Sequence, residues 1–504
     1  ETTSIRVDGI EHEAPLGAPL IEFLGSIGKQ IPRFCYHPGL SVQASCRQCQ
    51  VESKGKGTRP GLLVACRERI VPEMEILTDS APAREARQGV MEFLLKNHPL
   101  DCPICDKAGE CLLQDTAYST GQDQGRSLES RRRLPKRKSL GDRILLDNER
   151  CILCTRCVRF FEEVTKEPQL AVIDRGDRSV LTTFMDDPLR GNYQGNIVDL
   201  CPVGALTLKK FRFESRVWFL RETRTVCGLC SRGCNTIVET RGGKVVRVRP
   251  RYAPEVNGYW MCDKGRLDFD AFNMSEESGR LVEPMRAGAA GKLEACGSDE
   301  SLDAMAESLV AGTTPILAIL SPFATNEEGL AFHEAFRQIV RITGKEARIR
   351  FMAPRSCSLA DDLLHTDADA PNARGLVEVA GLEPVEEREI LEGLPENEVV
   401  LLAGYGLDRV VSEPFKIALL AAEALLYHGM SLGHFAFAKA ALPAASSMEK
   451  NGHWTNVDGR TQFVRAALER PPWVMTDESF FEALAARVRS RAAARAGTAP
   501  EVPA

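Results

Sequence analysis

Apolar and polar positions alternate at the start of the chain. Ile5, Val7 and Ile10 flank Asp8-Gly9, which predicts a β-hairpin. Residues 19–28 then predict a short helix stopped by glycine. Residues 84–97 predict a second helix, ending at His98. Past residue 267 the pattern turns α/β. Residues 315–320 form an unbroken apolar run, the mark of a buried strand. Ser321, an acidic turn and an amphipathic helix over 329–343 follow it. Residues 399–406 predict a second strand that enters a Gly404-Tyr405-Gly406 turn. The longest nearly apolar stretch, 417–426, is ten residues with a glutamate inside. A membrane span needs about 20, so none is expected, and the first residues lack the pattern of a signal peptide. Residues 489–504, rich in Ala, Arg and Pro, predict a fraying helix and a loose tail.

Composition adds two facts. At 504 residues the chain has room for three or four domains, and its net charge of −6 argues against nucleic acid as the main partner. It also carries 17 cysteines, all but Cys296 and Cys357 before residue 263. An unsecreted chain has no redox reason for a disulfide framework, so the cysteines read as metal ligands in an N-terminal half joined to an ordinary C-terminal half.

They fall into four groups. Cys35, Cys46, Cys49 and Cys66 follow a predicted strand pair and helix. That order suits a small sheet holding a [2Fe–2S] cluster on one loop, with a fourth ligand returning from a later segment. Structural zinc accepts the same four thiolates. His98, Cys102, Cys105 and Cys111 offer three thiolates and an imidazole that can stand in for the fourth. The plainer alternative is that His98 merely ends its helix. Cys151, Cys154, Cys157 and a distant Cys201-Pro202 form the bacterial ferredoxin run, specific for [4Fe–4S]. Cys227, Cys230, Cys234 and Cys262 crowd three thiols at one end, with Gly228 and Gly233 loosening the backbone around them. Zinc remains the alternative there too. Each group has four protein ligands and no open position, so this half reads as an electron carrier without a catalytic metal. Occupied clusters would add roughly −7 of charge by ligand counting, which backbone N–H groups and nearby cations must offset.

Residues 126–143 hold eight basic and two acidic side chains. They read as a solvated loop, with docking to an acidic neighbouring subunit as the alternative. Gly404 and Gly406 make a G-x-G without the third glycine of a dinucleotide fingerprint, so they read as a turn. Cys357 and Cys296 read as structural thiols, since local spacing places neither a His nor an acid beside Cys357. There is no phosphate loop, nucleophile elbow or HExxH.

Five stretches resemble the large iron–sulfur subunit of bacterial NADH–quinone oxidoreductase, respiratory complex I. They are Pro32-Arg33-Phe34-Cys35-Tyr36-His37-Pro38, His98-Pro99-Leu100-Asp101-Cys102-Pro103-Ile104-Cys105-Asp106, Arg150-Cys151-Ile152-Leu153-Cys154-Thr155-Arg156-Cys157-Val158-Arg159-Phe160, Asp199-Leu200-Cys201-Pro202-Val203-Gly204-Ala205-Leu206 and Val256-Asn257-Gly258-Tyr259-Trp260-Met261-Cys262-Asp263-Lys264-Gly265-Arg266. The resemblance covers the first 266 residues. It thins afterwards to Leu442-Pro443-Ala444-Ala445 and Trp454-Thr455-Asn456-Val457-Asp458-Gly459-Arg460, which look like a molybdopterin-oxidoreductase-like domain.

The resemblance implies a multidomain α+β chain. Its parts would be a β-grasp [2Fe–2S] ferredoxin-like domain (1–80), a [4Fe–4S] domain ligated by one histidine and three cysteines (81–120) and a [4Fe–4S] ferredoxin-like domain (140–215). A [4Fe–4S] domain of the molybdopterin-oxidoreductase type (220–276) and a shortened α/β domain without pterin (277–490) would follow, then a tail (491–504). It assigns all fifteen cysteines and His98 as ligands of one [2Fe–2S] and three [4Fe–4S] clusters, with no catalytic residue and no molybdopterin. Electrons would enter from a flavin- and NADH-binding subunit and leave through a ferredoxin-like subunit towards quinone, with the fourth cluster off the main route. The chain would lie on the cytoplasmic side of the inner membrane, touching it only through the complex. Relay subunits of NAD-linked hydrogenases or formate dehydrogenases, and a redox-silent zinc scaffold, are the alternatives.

Overall fold

The computed structural model describes residues 1–121, 124–273, 279–393, 398–407 and 411–497. The chain divides into two compact units, Glu1–Leu220 and Arg221–Ala504.

The first unit opens with the expected hairpin, β1 (Thr2–Val7) and β2 (Ile10–Pro15), turned by Asp8 and Gly9 at positive φ. Helix α1 (Leu20–Ser26) crosses the sheet that these strands complete with β3 (Gln50–Ser53), β4 (Gly61–Val64) and β5 (Glu75–Leu77). The strand order is β2-β1-β5-β3-β4, with β1 and β5 parallel. Ile5, Val7, Leu20, Leu24, Val51, Leu63 and Ile76 form its core. Helix α2 (Ala81–Asn97) starts at the N-cap Ser80, with Pro82 in its first turn, and stops at His98. Helix α3 (Leu112–Thr120) follows.

Beyond it, β6 (Lys138–Ser139) and β7 (Ile144–Leu146) pair with β10 (Leu206–Leu208). Between them lie α4 (Arg156–Arg159), the hairpin β8 (Leu170–Ile173) and β9 (Val180–Thr183), and α5 (Asn196–Leu200). The basic stretch 126–143 is largely exposed loop, as expected, but several of its charges are paired. Arg126 pairs with Glu92, Lys136 with Asp101 and Glu149, and Lys138 with Asp186, while Arg131 donates to the His98 carbonyl at 2.8 Å.

The second unit begins with an antiparallel sheet of β11 (Arg221–Val226), β12 (Asn235–Arg241) and β13 (Lys244–Pro250), followed by α6 (Asp263–Leu267). The antiparallel pair β14 (Met285–Ala287) and β15 (Leu293–Ala295) leads into α7 (Ser298–Val310). The parallel strands are β16 (Ile316–Leu320), β17 (Ala347–Met352), β18 (Glu383–Val385), β19 (Val399–Ala403), β20 (Ala424–Gly429) and β21 (Ala440–Pro443). Their order, β18-β17-β16-β19-β20-β21, is that of a doubly wound sheet whose direction of winding reverses between β16 and β19. Burial on both faces explains the unbroken apolar runs: Leu317 and Ile319 belong to one core, Ile316, Ala318 and Leu320 to the other.

Helix α8 (Asn326–Thr343) corrects one expectation. The acidic residues after Ser321 are not a turn but its first turn, closed by a capping box between Thr325 and Glu328. Helices α9 (Ala373–Glu378), α10 (Glu387–Gly393) and α11 (Glu413–Ala418) are short. The apolar stretch 417–426 is no single element: it spans the end of α11, a 3-10 turn and the start of β20. After the hairpin β22 (Gly452–Thr455) and β23 (Thr461–Val464), helix α12 (Asp477–Ala496) packs Phe480, Phe481 and Leu484 against α8. Residues 491–496 are therefore helical rather than loose, and the rest of the expected tail, 498–504, lies outside the described residues. Among the described residues no helix is long and apolar enough to cross a membrane.

At the reversal point, the place where such sheets bind nucleotides, the Gly404-Tyr405-Gly406 turn is filled by protein. A Cβ on Gly404 would lie 2.8 Å from that of Ser321, and one on Gly406 would meet the Phe323 ring at 2.8 Å. Both glycines have positive φ. Close packing and turn geometry account for them.

Candidate metal centres

The structure brings each of the four predicted groups together. In the first, Cys35 and Cys46 lie on the loop from α1 to β3. Cys49 stands just before β3 and Cys66 just after β4, and the pairing of those strands delivers both. The thiols share protons in pairs. Cys46 donates to Cys35 and pulls it down to about 5, while Cys46 itself rises. Cys49 likewise donates to Cys66 and lowers it, while Cys49 itself rises. Such polarised thiols suit a cation that replaces the shared protons.

In the second group, His98 closes α2, Cys102 and Cys105 bracket a 3-10 turn, and Cys111 precedes α3. The four line a common small cavity. Burial first, then the Arg150 guanidinium, pushes His98 down to about 4, so its imidazole is neutral near pH 7. Its buried Nδ1 has no hydrogen-bond partner among the described residues. A ligand role accounts for that orphaned nitrogen; a helix stop alone does not.

In the third group, Leu153 and Thr155 take positive φ, which curls the Cys151–Cys157 run around one point, while α5 delivers Cys201. These four line a small apolar cavity with Leu153 and Val203. Burial pushes Cys151 up to about 12 and Cys154 up to about 11, and raises Cys157 too. Bare thiolates are costly there, and a multivalent cation among them removes the cost.

The fourth group stands at the top of β11 and β12. Cys227 N–H donates to the Cys234 carbonyl (2.8 Å), and the Cys262 sulfur caps α6 by accepting from Gly265 N–H at 3.4 Å. A Cβ on Gly265 would sit 2.9 Å from the Cys227 sulfur and 3.7 Å from that of Cys262, so the two ends of the group close around it. Burial raises Cys227 and Cys234 and takes Cys262 up to about 12. Gly228 has a reason the sequence did not offer. It lets Trp454 approach, since a Cβ would meet that ring at 2.6 Å. Asn456 and Gln462, from the same late hairpin, bond the carbonyls of Arg232 and Gly233.

Several residues that organise these sites escaped the sequence reading. Arg156 lies inside the third run and Arg159 two residues past it, yet both reach the first. Arg156 donates to the Tyr36 carbonyl (2.6 Å) and the Leu200 carbonyl (3.0 Å). Arg159 donates to the carbonyls of Cys35 and Ser41. On the other side Arg150 pairs with Asp101 at 3.0 Å, and Leu112 N–H donates to the Pro202 carbonyl at 3.0 Å, joining the third group to the second. The arginines in and beside the C-x2-C-x2-C run were the available signal. Cys357 requires a correction as well: the fold sets His365, Asp369 and Lys264 beside a thiol expected to stand alone.

Four family models match in the same order as the groups. Residues 1–81 match a 2Fe-2S iron-sulfur cluster binding domain, and residues 87–126 match the NADH-ubiquinone oxidoreductase-G iron-sulfur binding region. Residues 141–207 match the ferredoxin-like domain of NADH-quinone oxidoreductase subunit 3, and 220–270 the NDSU1/NuoG-like 4Fe-4S domain of NADH-ubiquinone oxidoreductase. The NuoG-type subunit of NADH-quinone oxidoreductase from Streptomyces coelicolor is 40% identical over 320 residues, 63% of this chain and 37% of that one. Over these iron–sulfur regions the chain is similar to NuoG-type subunits of NADH–quinone oxidoreductase. The mitochondrial NADH dehydrogenase [ubiquinone] iron-sulfur protein 1 of Solanum tuberosum is 40% identical over 307 residues, 61% of this chain and 40% of that one. The NuoG-type subunit from Rickettsia bellii is 39% identical over 306 residues, 60% and 44% of the two chains. This chain therefore spans well under half the length of these relatives. Among solved structures, a NAD+-reducing [NiFe]-hydrogenase in the H2-reduced state aligns with TM-score 0.37 and 26% identity, covering 42% of this chain and 90% of that one.

Proposed function

We propose that this chain is the iron–sulfur electron-transfer subunit of a proton-translocating NADH–quinone oxidoreductase, relaying electrons from a flavin- and NADH-binding subunit towards quinone. Cys35, Cys46, Cys49 and Cys66 would hold a [2Fe–2S] cluster. The other three groups, His98 included, would each hold a [4Fe–4S] cluster. When bound, these clusters supply one-electron carriers with no open coordination position.

The observation that carries the reading is the order in which side chains join the groups of the first unit: first to third through Arg156 and Arg159, third to second through Arg150. The three guanidiniums also place positive charge where the clusters would bring negative charge. Exposed apolar side chains surround the second group: Leu100 and Ile104 are 80% and 61% exposed, Phe93 82%. Such clustering marks a protein contact, here the exit to a ferredoxin-like subunit on the quinone side. The doubly wound sheet of the second unit is read as a shortened molybdopterin-oxidoreductase-like scaffold, its reversal point filled by Phe323 and Tyr405. The assembly would sit on the cytoplasmic face of the inner membrane.

The test is anaerobic reconstitution followed by electron paramagnetic resonance during stepwise reduction. One binuclear and three tetranuclear centres are expected. A chain that takes up zinc alone overturns the reading.

A further inference from the structure

The loop between β17 and α9 doubles back on itself. Cys357 N–H donates to the Asp367 carbonyl (2.7 Å), Asp369 N–H donates to the Arg355 carbonyl (3.2 Å), and Ser356 and Ala368 form an isolated antiparallel bridge. Asp361 folds the tip: its Oδ1 accepts the N–H groups of Leu363 (2.8 Å), Leu364 (2.9 Å) and His365 (3.2 Å). The stem is pinned from the fourth cysteine group. Ser231 N–H donates to the Ala368 carbonyl at 3.0 Å, its hydroxyl meets that of Thr366 at 2.9 Å, and Arg232 donates to the Leu364 carbonyl at 3.2 Å.

This folding converges three chemically different ligands. One donor atom each from Cys357, His365 and Asp369 lies within 4.8 Å of the other two. His365 is 1% exposed, and its Nδ1 sits 3.0 Å from the Thr366 carbonyl. A carbonyl oxygen only accepts, so Nδ1 carries the proton and the lone pair is on Nε2. A backbone carbonyl holding one ring nitrogen is the arrangement that orients metal-bound imidazoles. The charge balance points the same way, because the Lys264 ammonium already sits among these groups, ion-paired with Asp369 and 3.9 Å from the Cys357 sulfur. The place therefore attracts positive charge.

We propose that Cys357, His365 and Asp369 form a binding site for one divalent transition ion of the zinc type, distinct from the four cysteine groups. One thiolate, one imidazole and one carboxylate, with the fourth position left to water, is a set that zinc accepts. On binding, Zn2+ replaces the Cys357 thiol proton, which is released to solvent, and displaces the Lys264 ammonium from Asp369. Thiolate and carboxylate together then balance the ion. The site is independent of the electron relay, and its failure would leave that proposal standing.

The test uses the full chain with its clusters in place, dialysed against zinc held in a weak chelator. Iron and zinc are then counted by elemental analysis, and the zinc-edge X-ray absorption spectrum is recorded. One zinc per chain is expected, with a single sulfur at about 2.3 Å and the remaining ligands nitrogen or oxygen at about 2.0–2.2 Å. Cys357→Ser and Asp369→Asn should each lose the zinc while keeping the iron. Failure to retain zinc, a shell of several sulfurs, or zinc unchanged in both variants overturns the site. The spectrum of the unmodified chain decides the matter even if a variant fails to fold.

Discussion

Arg159 donates one N–H to the carbonyl oxygen of Cys35 at 2.6 Å, and the same nitrogen reaches the Cys154 carbonyl at 3.4 Å. A single buried guanidinium thus ties the backbone of one cysteine group to that of another more than a hundred residues away. Hydrogen bonds from a charged donor are worth about 1.5–3 kcal/mol each. Replacement by Met fills the same space without the charge. Arg159→Met is therefore expected to make the clusters proposed at the first and third groups harder to reduce, because a nearby cation favours the more negative reduced state. A redox titration followed by electron paramagnetic resonance checks this. Unchanged potentials at both groups would assign Arg159 to packing alone.

Gly204 follows Cys201-Pro202-Val203, and a Cβ there would fall 2.2 Å from the Cys105 sulfur and 3.2 Å from the Lys107 Cβ. Backbone of the third group therefore presses directly on a ligand of the second. Gly204→Ala should abolish the second group's cluster signal and its share of the iron while the first group's signal persists. Full iron content in the variant would mean that the second loop relaxes at little cost.

How much of this could be read in the sequence follows from the range of each interaction. The cysteine groups were legible because most ligands of each lie within a few residues, and His98 because its group was one thiol short. The partners of Arg156 and Arg159 were not, since they lie about 120 residues upstream. Asn326 and Glu328 looked like turn residues because they are polar. They are 5% and 2% exposed, held in by the capping box and by Lys450. The ion pairs of the exposed basic stretch after the second group were not legible, because its acidic partners, Glu92, Asp101 and Glu149, sit on other segments. Cys357 looked alone because a carboxylate that bends the loop, Asp361, decides what meets it.

His98 permits a test of charge at constant ligand number. Its neutral imidazole, in place of a thiolate, leaves the proposed second cluster one negative charge poorer. His98→Cys restores four thiolates, and the added charge should lower that cluster's reduction potential. The signals of the first and third groups should stay where they are. A second-group signal identical in the variant and the unmodified chain would remove His98 from the ligand set.

The second unit buries a charged network whose pH response has a definite sign. Lys450 lies 2.6 Å from Glu328 and 3.8 Å from Asp477, and His428 Nε2 lies 3.1 Å from Asp477 Oδ1; all four side chains are almost fully enclosed. Two carboxylates share one ammonium. Burial opposes ionisation of both, but Asp477 has His428 as well as Lys450 and stays below the usual carboxylate range. Glu328, facing that second negative charge, is pushed by burial up to about 7 from an ordinary 4.5. Between those values the folded chain holds a proton that the unfolded chain releases, so this group makes stability fall as pH rises through the window. Asp477 loses its contribution only at lower pH, as its own folded value is passed. Glu328→Gln keeps an acceptor for the Thr325 cap and removes the titration. Urea midpoints measured from about pH 5 to about pH 7 should fall for the unmodified chain and stay nearly level for the variant. Parallel slopes in the two proteins would mean that Glu328 is ionised throughout, with Lys450 alone sufficient to hold its charge in the core.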